Sequence, residues 1–257
     1  MRDIIVPLVS PLSRKYYNYA SEKNERKHHR AEDIRLCLEY ICDHLVLIFA
    51  SEQDKNKWKS YTLHDKLKAS RNFMDKKIVD KLISAKIIGN KGVHEGEEGD
   101  YTEKDIDNSL KAIKDFSLEI FCVYFKKNGF YSNKKSWVPT VFSTLPPIYR
   151  IEILEKYYNN CCKSSFVIDK LSKAYLKGGL EKEAKKFLLS CYEKKEITAE
   201  LYGKLEDDIL LLKRNISKLP IAVDLEASKK NFNNILPMIE ENERDSFICL
   251  MSVILNE

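Results

Sequence analysis

Ile34, Leu38, Ile41, Leu45 and Ile48 recur at alternating spacings of four and three. Only an α-helix brings such a series to one side, and a stripe this long and apolar has to be buried against other helices. The same arithmetic returns at Ile106, Leu110, Ile113, Phe116, Ile120 and Val123, and again at Leu201, Leu205, Ile209, Leu212 and Ile216. Alternation with a period of two, the mark of a half-buried strand, appears nowhere in the chain. Glycine and proline number eight and seven in 257 residues, well below average usage of roughly 7% and 5%. Collagen-like, proline-rich and turn-dense all-β chains are thereby excluded. A hydrophobic content of 44% supplies enough apolar surface for a core and excludes wholesale disorder. The predicted class is all-α.

Helices are predicted at 24–50, 58–70, 75–88 and 102–127, with the polar run SEQDKNK as a break after the first. The third is expected to stop at Gly89-Asn90, the residues best suited to a left-handed C-cap. Thr102 with Asp105 three positions on forms a capping box for the fourth. These four make a bundle domain over 1–130, with its core at about 20–127. The basic, polar stretch KKNGFYSNKKSW, followed by Pro139, Pro146 and Pro147, reads as a linker at 131–147. A second, irregular helical domain over 148–257 is predicted from helices at 148–159, 166–177, 181–193, 198–216, 226–238 and 243–255. Within it DKLSKAYLKGGLEKEAKKFLL has the layout of one tetratricopeptide-type hairpin turning at Gly178-Gly179. One copy is too few for a solenoid, which needs about three repeats.

The net charge of +5 is too small to identify a nucleic-acid binder by itself, but its distribution is uneven. Residues 14–30 carry six Lys and Arg against Glu22 and Glu25, residues 126–135 carry four lysines and no acid, and HEGEEGDYTEKDID between them is acidic. Seven cysteines with no C-x-x-C pair read as reduced thiols, those at Cys37, Cys42, Cys122 and Cys249 sitting in apolar stretches as small hydrophobes. The opening MRDIIVPLVSPL, with Asp3, Pro7 and Pro11, lacks the apolar core of a secretory leader. LVLIFA and IFCVYF are far shorter than the ~20 residues that span a bilayer. The expectation is a cytoplasmic protein that does not enter the membrane.

Phosphate-loop, dinucleotide-fold, zincin and nucleophile-elbow motifs are all absent. His28 and His29 are neighbours on a helix and point about 100° apart, so they make poor joint ligands for one ion; no metal and no cofactor is predicted. What remains is AKIIGNKGVHEGE at the end of the third helix. Read from the residues alone, Gly89-Asn90 are a helix cap and His94 holds the acidic loop. If the helix instead continues, Lys86, Asn90 and His94 fall at i, i+4 and i+8, on one side over about 12 Å.

Four segments in order carry a resemblance: RAEDIRLCLEYI with Arg30, Arg35 and Glu39, then TLHDKLKAS, then KIIGNKGVH, then TEKDIDNSLKAIKDFSLEIF. Together they resemble the HEPN superfamily, and within it the bacterial branch with a Gly-Asn-x-x-x-His motif, over about residues 20–127. The resemblance implies a metal-independent endoribonuclease, or an RNA-acting effector of a toxin or antiviral (anti-phage) defence system. Such proteins act as homodimers, two copies of the motif lining one cleft. Carried over, His94 is the general acid or base, Asn90 a polar positioner and Lys86 the phosphate-binding cation. The chain has lysine where active members carry arginine, and lysine lacks the two-pronged guanidinium grip on phosphate.

Lys126, Lys127, Lys134, Lys135 and Tyr131 mix cations with an aromatic, as single-strand binders do, and are the candidate RNA contacts. The same segment also reads as a solvated connection whose aromatics anchor in a neighbouring domain. An alternative function stands beside the nuclease: a catalytically silent helical adaptor that assembles with protein or nucleic-acid partners. A third is a structural subunit that meets a protein partner through 148–257.

Overall fold

The computed structural model describes residues 6–256, with the backbone alone at Glu97. Helices account for the architecture, and no strand occurs among the described residues. No described helix is long and apolar enough to cross a membrane. Of the described residues, 6–123 and 245–256 form one compact unit and 124–244 a second. Residues 1–5 and 257 of the predicted domains, Asp3 included, lie outside the described residues.

The first unit is built on α2 (Lys27–Ile41), which carries Ile34, Leu38 and Ile41 into the core. It runs on through a π-helical turn, Cys42–Val46, into the short α3 (Leu47–Phe49), so the predicted 24–50 stripe is one helical path. Before it stands a helix the periodicity did not announce, α1 (Pro11–Ser21). Ser10 caps it, accepting from the Ser13 amide at 3.3 Å, and Pro11 occupies the first position, where its missing N–H costs nothing. Tyr17 and Ala20 are buried, and Tyr16 stacks on Tyr40 at 5.6 Å.

The predicted break at SEQDKNK is itself a helix, α4 (Glu52–Trp58), because Ser51 accepts from the Asp54 amide and starts it. The chain breaks instead at 59–62, and α5 (Leu63–Ser70) follows with Thr62 and Asp65 as a complete capping box. Next come α6 (Lys76–Glu95) and α7 (Glu103–Asn128). The predicted Thr102–Asp105 box is present: the carboxylate accepts from the Thr102 amide at 2.8 Å and the Asp105 amide donates to the hydroxyl at 3.3 Å.

Arg30 ties these elements together from inside. Its guanidinium is 1% exposed; Nε donates to the Ala20 carbonyl at 2.8 Å, capping the end of α1, while the Glu103 carboxylate pairs with Nη1 and Asp107 lies 3.8 Å from Nη2. The last helix, α14 (Ser246–Asn256), also belongs here, packing on α1, α3 and the π turn. Phe247, Leu250, Met251 and Ile254 are fully buried, and Phe247 meets Phe121 edge-on at 6.2 Å. Residues 245–256 were predicted to close the second domain. Cys249 on α14 is exposed, not a buried hydrophobe, because it falls on the side away from Phe247 and Leu250; Cys37, Cys42 and Cys122 are buried as predicted. Burial pushes the Cys42 thiol up to about 12.

The second unit contains α8 (Val138–Phe142), α9 (Pro147–Asn160), α10 (Ser165–Lys177), α11 (Glu181–Glu193), α12 (Ala199–Asn215) and α13 (Leu225–Ile235). The predicted linker at 131–147 is part of its core: Val138, Val141, Phe142 and Leu145 are at most 1% exposed. Phe130 and Phe142 pack on Phe125 at 4.7 and 5.3 Å, and the Tyr157 hydroxyl donates to the Phe125 carbonyl. A polar composition at 126–137 hid the apolar residues that follow it. The α10–α11 hairpin turns at Gly178-Gly179 with Gly179 at φ +75°, where a side chain would be strained. Ala174 and Ala184 are buried on its two helices.

Candidate active site on helix α6

Asp75 starts α6, accepting from the Lys77 and Ile78 amides at 2.8 and 3.4 Å. The helix does not stop at Gly89-Asn90. It continues through His94 to Glu95 and is capped by Gly96, at φ +59°, whose amide donates to the Gly92 carbonyl. The two internal glycines serve a different purpose. A Cβ on Gly89 would lie 2.7 Å from the Arg35 Cβ, and one on Gly92 would lie 2.6 Å from the Ala31 Cβ and 2.8 Å from the His28 carbonyl. They are the places where α6 and α2 touch backbone to backbone. Val79, Leu82, Ala85, Gly89 and Gly92 form the buried stripe of α6. A glycine pair continuing an apolar stripe at helical spacing was the legible signal of a crossing rather than a cap.

The unbroken helix places Lys86, Asn90 and His94 on successive turns, about 12 Å from first to last at 1.5 Å per residue. His94 is exposed; Lys86 and Asn90 are half-buried. None of the three makes a side-chain hydrogen bond or ion pair among the described residues. Ile87 and Val93, between them in sequence, are 47% and 44% exposed.

The loop after α6 does not depend on His94. Lys27 holds it, donating to the Tyr101 carbonyl at 2.8 Å and the Gly99 carbonyl at 3.3 Å, with its ammonium 4.4 Å from the Tyr101 ring centre. Lys91 donates to the Asp100 carbonyl at 2.6 Å. The reading of His94 as the anchor of the acidic loop is therefore displaced: lysines do that work and the imidazole is left available.

A groove of about 530 Å³ lies alongside, between α6 and α7, lined by Ser84, Ile87, Ile88, Asp105, Asn108 and Lys111. Lys86, Asn90 and His94 do not line it. Glu22 and Glu25, which precede α2, and His29, Glu32 and Asp33 on it surround a basin of about 380 Å³. Burial, followed by repulsion from Glu32, pushes the Asp33 carboxyl up to about 6. The stretch 14–30, basic in count, thus presents an acidic concavity, because its two acids join two more from the next turns of α2. Among the described residues no three His, Cys, Asp or Glu side chains gather as they would around a metal ion.

The five candidate RNA contacts fall in the second unit, whereas His94 is in the first. Lys126 and Lys127 are exposed on the last turn of α7, and Lys134 is exposed. Lys135 is half-buried, its ammonium 5.8 Å from the Tyr124 ring centre. Tyr131 is 50% exposed and stacks on Phe166 at 4.3 Å and 22°. That stack fixes the ring and keeps half its surface open.

No protein-family model, curated protein or solved structure matches the chain.

Proposed function

We propose that the chain is a metal-independent endoribonuclease of HEPN type, an RNA-acting effector of the kind found in toxin and anti-phage systems, with α6 as its catalytic helix. The observation that carries this reading is an exposed, unengaged His94 on an unbroken helix, with Lys86 two turns behind it. Imidazole titrates near neutrality, so it can accept the proton of a ribose 2′-hydroxyl or return one to a leaving 5′-oxygen. In the strand cut this way, the 2′-oxygen bonds to phosphorus as the bond to the 5′-oxygen breaks, leaving a 2′,3′-cyclic phosphate and a 5′-hydroxyl. One imidazole takes the first proton and a second supplies the other, so two copies of the chain share one cleft. Lys86 offsets the charge that builds on the phosphorus oxygens, and Asn90 offers its amide to the same group. The exposed Ile87 and Val93 flank these residues and support an interface between copies there.

The test is purified full-length chain incubated with total RNA in the presence of a chelator. Cleavage to cyclic-phosphate ends is expected, with His94→Ala slower by about 100-fold or more, Lys86→Ala also impaired, and sedimentation giving a dimer. Intact RNA at micromolar protein, together with a strictly monomeric chain, overturns the reading.

A further inference from the structure

Arg150 on α9 follows Ile148 and Tyr149 and looks, in sequence, like the polar residue of an amphipathic turn. It is 4% exposed. Its Nε has no hydrogen-bond partner, and no carboxylate pairs with its guanidinium among the described residues. A buried charge without a partner is among the costliest groups a fold can hold, and arginine cannot relieve the cost by shedding its proton at neutral pH. Burial pulls it down only to about 10.

Arg150 borders a cavity of about 250 Å³ within the second unit, and Lys177, from the end of α10, borders it too. Lys177 likewise has no ion pair among the described residues; burial, then the proximity of Arg150, lowers its ammonium to about 8. The nearest acid on α10, Asp169, is engaged by Lys173 at 2.6 Å and Lys170 at 3.5 Å. No acidic side chain lines the cavity. Two neutral donors are available at its rim, the Thr140 hydroxyl and the Asn234 amide. The hydroxyls of Ser143 and Thr144 are already donated to the Pro139 and Val141 carbonyls, and Asn231 donates to the Pro220 carbonyl. Leu219, Ile221 and Ile235 provide an apolar wall.

We propose that this cavity is a binding site for a small phosphate monoester, with Arg150 and Lys177 taking the phosphate and the apolar wall taking its organic body. Two uncompensated cations match a dianion; a carboxylate would leave one of them unneutralised. A planar guanidinium beside a point-charge ammonium is a common division of labour around phosphoryl oxygens. The cavity volume fits a phosphate with a compact substituent and is too small for a folded macromolecule. The site does not rest on the role given to His94, and its test is separate.

Calorimetric titration of the full chain with phenyl phosphate, inorganic phosphate and benzoate decides the matter. Saturable binding of phenyl phosphate is expected, with inorganic phosphate weaker and benzoate weaker by about tenfold or more, the scale set by charge-assisted bonds. Lys177→Gln should weaken phenyl phosphate by about tenfold, and Thr140→Ala should weaken it less. Arg150→Met should abolish binding while the ligand-free chain unfolds at a temperature no lower than wild type, since an unpaired buried charge has been removed. The proposal is overturned if nothing binds at millimolar concentration, if benzoate binds as tightly as phenyl phosphate, or if Lys177→Gln leaves binding unchanged.

Discussion

Replacing Gly92 by alanine and replacing Gly203 by alanine are the same chemical change in two helix interiors, and the structure gives them opposite signs. In an exposed helix alanine is favoured over glycine by about 0.8–1 kcal/mol, chiefly because the unfolded chain loses freedom. At Gly203 on α12 a Cβ meets nothing within 4 Å, so that gain is realised in full. At Gly92 the new carbon would sit 2.6 Å from the Ala31 Cβ, 2.8 Å from the His28 carbonyl oxygen and 3.1 Å from the Glu32 amide nitrogen. Carbon contacts rest at about 3.5–4.0 Å, so α2 and α6 must part by roughly 1 Å. None of the three atoms can swing aside, since all belong to the α2 backbone or are bonded directly to it. Overpacking of this kind costs about 1–3 kcal/mol or more; taking the upper end, the net loss is about 2 kcal/mol. Hydrogen exchange read peptide by peptide keeps the two units apart in the measurement. Protection of α2 and α6 amides should fall by about 30-fold in Gly92→Ala, and that of α12 should rise several-fold in Gly203→Ala. A Gly92→Ala chain as well protected as wild type would refute the account of α6 as a backbone-contact helix.

Asp33 is the next lever. Its folded pKa of about 6 lies above the ordinary 3.8, so the native state binds the extra proton. The associated stability is present below pH 4 and lost as pH rises through about 6. With allowance for solvent screening, Asp33→Asn should stabilise the chain by about 1 kcal/mol at pH 7 and by nothing at pH 4. Thermal melts of both proteins across that range check it, and a pH-independent difference contradicts it. Arg30→Met removes the cap from the Ala20 carbonyl and leaves Glu103 and Asp107 facing each other one turn apart. Because those carboxylates are more than half exposed, the loss falls at the low end for a broken buried pair, about 3 kcal/mol, measurable by urea denaturation.

Side-chain periodicity made most helices readable, since a stripe such as Ile106 to Val123 has one geometry that buries it. Start signals written in side-chain oxygens, as at Thr102 and Asp105, were equally plain. What the pattern could not settle was the partner of each stripe. The run FICLMSVIL is apolar enough to be any core helix, and nothing local says that it packs on α1 and α3 rather than on the helices just before it. Glycine was ambiguous for a related reason: Gly89 and Gly96 look alike in sequence, yet one lies against Arg35 and the other supplies a positive φ. Within the candidate site, the shared side of Lys86, Asn90 and His94 was legible once α6 was known to continue. Arg150 was not legible at all, because an arginine in an amphipathic turn carries no mark of being sealed from water.

The return of α14 also bears on how the chain matures. Residues 124–244 are complete on the ribosome before the first unit has its Phe247, Leu250, Met251 and Ile254. Vectorial synthesis ordinarily lets the leading domain settle first; here the guest can be finished while its host still waits with an unfilled interior. A released chain truncated after residue 244 would therefore display a sticky, incomplete bundle, a vulnerable form for chaperones to shield.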